Sequence, residues 1–408
     1  MSGWRRGMLG AAWAMAVCLV SAGAEAGFTE TLPEGVGLVD LSYKYSWLNG
    51  AYDDEGNLGP LIDVLRRYEP GGGLQGVITP NVSVRYHVLL SQAQVGVLDD
   101  LTLGLAVPLV LKTTVEPDLV WQPGDYQWTL GRAYSDEDFW AWAESMGQPK
   151  PDRWEGNKYT LSDIVLGARW RFTDRMGWFE RAGLHGALLF MGALPTGKPA
   201  DPEEIVAAGT TLWELHTQGE LAVHLGVDKT FETSLDDRLR LGADFFYEAF
   251  LPRTYDTPRG DRHPLLLNYD PYVGDTYRLD PGDFLGFSLQ ADVVPYKGPA
   301  RGNWITGGDA AKAEKLPPVL TLFGRYTYTH LMQSDWTSNS DLWDWDREKL
   351  WRPGYKNIVT AQATLGLLRW GVPLMVYANV RSLTWLPGKN TRAANVITGG
   401  VQVPFPLW

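Results

Sequence analysis

Apolar and polar residues alternate along Val39-Asp40-Leu41-Ser42-Tyr43-Lys44-Tyr45-Ser46-Trp47. A strand through this stretch has one apolar face and one wet face. The pattern returns along the chain. The second ladder is Val82, Val84, Tyr86, Val88 and Leu90, with Ser83, Arg85 and His87 between. The third is Leu101, Leu103, Leu105, Val107, Leu109 and Leu111; Pro108 on its other face predicts a bulge or a local break in pairing. Ile164, Leu166, Ala168, Trp170 and Phe172 form the fourth, and 183–194 the fifth. The sixth runs through Leu215, Leu221, Val223, Leu225 and Val227, the seventh through Leu239, Leu241, Ala243, Phe245 and Tyr247. Further ladders fall at 285–293, 320–328, 359–367, 374–383 and 396–408. About twelve such ladders predict an all-β fold, an antiparallel transmembrane β-barrel whose apolar face meets lipid and whose polar face lines the lumen.

The connections mostly alternate long and short. With both ends in the periplasm, the long ones after strands one, three, five, seven and nine become extracellular loops. A soluble sandwich imposes no such rhythm. The link 296–317 breaks it, because it should be short. The longest interruption, 113–158, is rich in Trp, Asp, Pro and Gly, and 136–146 within it predicts a short helix. Together with 334–356 it is expected to gate the outer mouth. Only about nine residues precede the first ladder after a cleaved leader, so no N-terminal plug is expected. Pro404 and Pro406 are awkward in a closing strand, where every N–H wants a partner. Either they cap that strand or it is shorter than its pattern.

The N-terminus changes the picture of where the chain goes. Arg5 and Arg6 precede an apolar stretch at 8–20, and Ala24-Glu25-Ala26 is a small-x-small cleavage site. Residues 1–26 read as a secretory signal and 27–408 as one barrel domain, destined for the outer membrane. Cys18 lies in the apolar stretch behind Val17, where a lipoprotein signal needs a small residue. Cleavage then leaves no cysteine and no thiol chemistry. No later run of about 18 apolar residues could form a transmembrane helix. A hydrophobic fraction of 45% and a mean hydropathy of −0.19 suit a soluble protein or an alternating barrel equally. The 19 Trp tip the balance, since Trp favours membrane–water interfaces. The net charge is −12, and the signal's Arg5, Arg6 and Glu25 leave −13 on the rest, which argues against nucleic acid as a partner.

The run 161–171, Leu-Ser-Asp-Ile-Val-Leu-Gly-Ala-Arg-Trp-Arg, is followed by Gly192-Ala193-Leu194-Pro195-Thr196-Gly197 and then by Gly209-Thr210-Thr211 and the strand to Gly226. These about 100 residues resemble the MetA-pathway phenol-degradation family of outer-membrane transporters. Leu194 stands where that family often has lysine. The resemblance implies an outer-membrane barrel passing small, often hydrophobic or aromatic compounds, and it carries over no catalytic residues. Pro195 should stop pairing and Gly197 permits φ > 0, so the strand would end sharply there.

The densest polar set is Glu214, His216, Gln218, Glu220 and His224. Alternation places all five on one face, toward the lumen. They could hold a divalent ion. More simply, they form the polar wall of a pore, paired with Arg238 and Arg240 on the next strand. Arg85, Arg169, Arg171, Asp244, Glu248, Arg325 and Arg381 are expected in the same wall, and the mixed signs argue against strong ion selectivity. An outer-membrane lipase would need a lipid-facing His beside a Ser. Alternation instead puts His87, His185, His216 and His224 in the lumen, His263 in a loop and His330 at a strand end. No enzyme, metal or cofactor is therefore expected. The acid–aromatic loop 341–346 reads best as an interface loop. The expected function is passage of a small solute through the outer membrane, with outer-membrane lipid or lipopolysaccharide and that solute as partners. The alternatives are a closed structural or adhesive barrel and, third, a lipid-modifying enzyme.

Overall fold

In the computed structural model, residues 28–407 are described apart from 62–64, 69–71, 126–130, 146–149, 151, 198–218, 233–237, 257–275, 300, 304, 307, 311–315, 339 and 341–352. Twelve long antiparallel strands form the wall: β1 (Val36–Tyr52), β2 (Leu74–Leu98), β3 (Leu101–Pro123), β4 (Ile164–Trp170), β5 (Leu184–Leu194) and β6 (Glu220–Glu232). The other six are β7 (Arg238–Phe250), β8 (Phe284–Tyr296), β9 (Leu320–Leu331), β10 (Gly354–Gly366), β11 (Met375–Ser382) and β12 (Thr391–Pro406). Each pairs with its neighbours in chain order, and β1 also pairs with β12, so the sheet closes into a barrel. Closure leaves no sheet edge, which is what a strand protein needs in hydrocarbon.

The outer face carries the apolar sets that alternation predicts. Leu41, Leu105, Leu166, Phe245, Leu289 and Ile397 are large, exposed and outward. Aromatic residues bound this band: Trp170, Trp178 and Trp370 at the end with the short turns, Tyr45, Trp47, Tyr247 and Tyr328 at the other. Such girdles account for much of the Trp and Tyr content.

β2 departs from expectation. Its apolar set Val82, Val84, Tyr86, Val88 and Leu90 is buried inward, with Leu48, Leu61, Val110, Val115 and Ala394 packed against it. A period of two separates two faces but does not say which is inside. Register decides that. Ser46 opposes Tyr86 and Leu48 opposes Val84, so β2 presents its oily side to the lumen. Below Leu90 the inward row becomes polar, with Gln92 and Gln94.

The β2–β3 hairpin is also longer than its ladders. Pairing continues from Val84↔Val115 up to Gly76↔Pro123, so the first part of 113–158 is strand rather than loop. One register shift lies between His87 and Val88, where Leu111 is the extra residue, and a second between Gly96 and Leu98; neither is at Pro108. A capping box starts the helix α1 (Asp136–Ser145): Ser135 N donates to Asp138 (2.9 Å) and Asp138 N to Ser135 Oγ (3.2 Å). α1 seats Phe139 on Trp121 of the hairpin, ring centroids 4.1 Å apart. A further small sheet, Arg253–Asp256, Thr276–Asp280 and Asp335–Ser338, stands at the same end.

The two prolines of β12 have a simple explanation. β11 pairs with β12 only as far as Met375↔Gln402, while β1 continues to Val36↔Pro406. Leu407 N donates to Gly35 O on the β1 side (2.8 Å). N–H groups alternate sides along a strand, so those missing from Pro404 and Pro406 would face the side where β11 has ended. The long link 296–317 also finds a use. Asn303 Nδ2 donates to Leu368 O (2.9 Å), and Arg369 donates to Leu316 O and Pro317 O, so the link docks on the neighbouring short turn.

Candidate functional site: the barrel lumen

Side chains from all twelve strands point into the lumen, and many of its polar residues are buried there, among them Asp40, Lys44, Gln290 and Gln402. Its wall is laced by short polar contacts. Asp40 accepts from Gln402 Nε2 (2.7 Å) and Tyr377 Oη (3.1 Å). Gln290 Nε2 donates to Asp292 (2.7 Å), Arg325 donates to Gln290 Oε1 (3.0 Å), and His224 Nδ1 lies 2.9 Å from Asp244 Oδ2.

Across the end with the short turns lies a closure the sequence reading excluded. Residues 28–35 do not hang free but cross the lumen as a strap. Gly35 N donates to Gly96 O (2.9 Å) and Leu32 N to Thr102 Oγ1 (2.8 Å). Arg169 Nη1 donates to Glu30 O (2.9 Å), and Arg240 pairs with the Glu30 carboxylate. Thr29 gives both its hydroxyl (2.5 Å) and its N–H (3.3 Å) to Asp228. The Arg325 guanidinium lies 4.5 Å from the Phe28 ring centre. Glycines shape the bed. A Cβ on Gly96 would sit 2.0 Å from Pro33 O, and one on Gly226 would sit 2.7 Å from Phe28 Cβ. Eight residues are enough for such a strap because an extended segment reaches about 3.3 Å per residue.

Next to the strap is a cavity of about 90 Å³. Gln92, Gln94 and Arg169 give it a polar side, Ala106, Val165, Leu189 and Met191 an apolar one, and Gly104 and Gly167 leave the space open. Arg169 belongs to both cavity and strap. At the far end the inward apolar face of β2, packed with Leu61 from the first outer connection, narrows the lumen a second time.

The structure sorts the expected wall residues. Arg169, Glu220, His224, Arg240, Asp244, Glu248, Arg325 and Arg381 all sit on inward positions. Arg85 and His87 do not: they are on the outer face, because β2 is turned the other way. His87 Nδ1 lies 2.6 Å from Tyr43 Oη there. Arg171 lies past the end of β4 and pairs with Asp174 (2.7 Å), in the turn rather than the wall. Arg240 has the expected face but not the expected partner. It opposes Thr230, whereas Glu220 opposes Phe250, so the two charges are at opposite ends of the hairpin. Arg238 opens β7 opposite Glu232. Glu214, His216 and Gln218 lie outside the described residues, as do His263, the loop 341–346 and the leader. Sequence reasoning missed Asp228, Thr102 and the strap. The available signal was the inward glycines 96, 226 and 242, since glycine inside a strand marks close backbone approach.

The two halves of the motif behind the family resemblance meet at the outer end of β4 and β5. Gly197 N donates to Asp163 Oδ1 (2.9 Å), and Ile164 N donates to Thr196 Oγ1 (3.0 Å). β5 stops at Leu194, before Pro195, but Gly197 is not among the residues with positive φ. Its part is to bring a backbone N–H to a carboxylate.

The closed twelve-stranded antiparallel barrel has a counterpart of known structure. The chain is similar to an outer membrane channel from Pseudomonas putida F1, with a TM-score of 0.51 at 11% identity, over 94% of this chain and 100% of that one. It is also similar to the β domain of the Bordetella autotransporter BrkA (TM-score 0.37, 9% identity, 91% and 100% of the chains). A FadL homologue of Pseudomonas aeruginosa aligns with a TM-score of 0.29 at 11% identity over the whole of both chains. No family model matches the sequence, and no curated protein does.

Proposed function

We propose that this chain is an outer-membrane channel for a small solute with an apolar or aromatic body, delivered by a leader cleaved after Ala26. The observation that supports it is the cavity beside the strap, which offers one polar and one apolar side inside a lipid-embedded barrel. The motif 161–197 and its resemblance to phenol-degradation transporters agree with such a solute. Passage requires the strap to shift, because residues 28–35 cross the periplasmic exit. Arg169, Arg240 and Arg325 then have two roles: holding the strap and, once it moves, facing the solute.

The test is conductance and solute flux of the refolded 27–408 chain in planar bilayers and liposomes, beside a variant carrying Asp228→Ala. Rare openings in the wild type and frequent ones in the variant are expected, with block by aromatic acids. Silence from both, in preparations whose heat-modifiable migration shows a folded barrel, would overturn the channel reading. That outcome favours the second reading, a closed structural barrel, for which the packed cluster around Val84 and Leu61 speaks.

A further inference from the structure

One strongly charged surface takes no part in the lumen. On the outside of β3 the lipid-facing row is Leu101, Leu103, Leu105, Val107 and Leu109. The bulge at Leu111 then brings Lys112 to the outer face, opposite His87. Next to it come Arg85, opposite Thr114, and Glu155, which also opposes Thr114. The short strand Trp154–Gly156 adds Arg153 and is followed by Lys158. Tyr45 and Trp47 of β1 flank the group, opposite His87 and Arg85. The aromatic girdle and the end of the leucine row therefore fix its height: it lies just where hydrocarbon gives way to headgroups.

Four cations share two acids here. Glu116 receives Arg85 (2.7 Å) and Arg153 (3.3 Å). Glu155 receives Arg153 (2.5 Å), Lys112 (3.2 Å) and Lys158 (3.8 Å). Within these ion pairs the cations outnumber the acids by two, on a chain whose net charge is −12, and the nearby acids Asp118 and Asp152 lie on the side away from the leucine row. The cationic side chains stay between 34% and 60% exposed, so their remaining N–H groups face outward. The acids hold the cations in a fixed array and do not cancel it. A surplus of this kind suits a dense anion anchored at this height. On either side of it stand the exposed rings of Tyr43 and Tyr159, the latter 77% exposed, each of a type that stacks on sugar rings.

We propose that this outer patch, centred on Arg85, Lys112 and Arg153, binds the phosphorylated sugar headgroup of an outer-leaflet glycolipid. Phosphate on Lys and Arg gives charge-assisted hydrogen bonds, and the acyl chains lie on the leucine row below. The inference rests on the orientation with the strap in the periplasm but not on the barrel conducting. A silent barrel could still bind lipid, and a conducting one could fail to.

The test is native mass spectrometry of the detergent-solubilised 27–408 chain titrated with bis-phosphorylated lipid A, mono-phosphorylated lipid A and phosphatidylglycerol. Retention is expected in that order, with bis-phosphorylated lipid A surviving at collision energies that strip phosphatidylglycerol. The double variant Lys112→Gln/Arg153→Gln should weaken lipid A binding about 25-fold, about fivefold for each removed charge at an anionic surface. Glu155→Gln, which frees cations without removing any, should tighten it. Inorganic pyrophosphate at millimolar concentration should compete weakly, because it lacks the sugar and chains. Equal retention of phosphatidylglycerol and lipid A would overturn the proposal. So would a folded double variant that binds lipid A like the wild type, weakening by Glu155→Gln, or full displacement by pyrophosphate.

Discussion

Asp228→Ala should release the strap while leaving the barrel wall intact. Asp228 sits inward on β6, and its carboxylate accepts both the hydroxyl and the N–H of Thr29. Hydrogen bonds to a charged group contribute about 1.5–3 kcal/mol each, but the N–H bond at 3.3 Å is long, so the pair together is put at about 3 kcal/mol. That corresponds to about a 150-fold change in the ratio of seated to released strap. The other anchors do not make up the loss. Ordering a residue's backbone costs about 1–2 kcal/mol, so a strap of this length is held by a margin comparable to one good anchor. Hydrogen–deuterium exchange reads the result directly, since the amides of Thr29 and Leu32 are both donors in the seated state. Protection of the 28–35 peptide should fall about 100-fold in the variant while peptides from β6 and β7 keep theirs. Asp228→Asn, which keeps an acceptor, should restore most of it. Unchanged protection in Asp228→Ala, or random-coil exchange of 28–35 in the wild type, would refute the account of the strap.

Four further outcomes are expected. Leu90→Ala should cost about 2–5 kcal/mol in denaturant titration, because Leu90 is fully buried in the inward cluster, while Leu89→Ala on the lipid face should cost well under that. Leu289→Arg, in the middle of the outward row of β8, should destabilise the barrel by about 2–4 kcal/mol in vesicles, and Arg85→Leu on the outer rim should not. Asp163→Ala should remove the Gly197 N–H bond, a loss of about 1.5–3 kcal/mol, read as faster exchange at the outer ends of β4 and β5. The Asp138 carboxyl at the start of α1 is held well below the usual carboxylate range by the Arg132 guanidinium and the Ser135 N–H and hydroxyl. A depressed value makes its contribution fully present above the unfolded carboxylate's pKa and lost only as pH falls through the lowered one. The Asp138 side-chain carboxyl carbon signal in an NMR titration should therefore stay unchanged through pH 4, and an early shift would contradict that pairing.

The sequence alone determined the class of this protein. Period-two ladders, interrupted in a long–short rhythm, have one economical solution in a membrane; β7 and β8 follow it residue by residue, and β3 does so as far as Leu109. Alternation is a local property, so it was legible. The short helix at 136 was legible too, and the structure adds the capping box that starts it. Which face of a ladder turns inward, and at what height each residue sits, are properties of register, and register is settled between strands. That is why Arg85 and His87 left the lumen, and why Arg240 found Glu30 instead of Glu220. The strap was hidden for a related reason. Residues 28–35 carry no periodic pattern, and their place depends on Gly226, Asp228 and Arg240, some two hundred positions away. The chain could state that a barrel forms; only closure of the barrel brought together the groups that obstruct it.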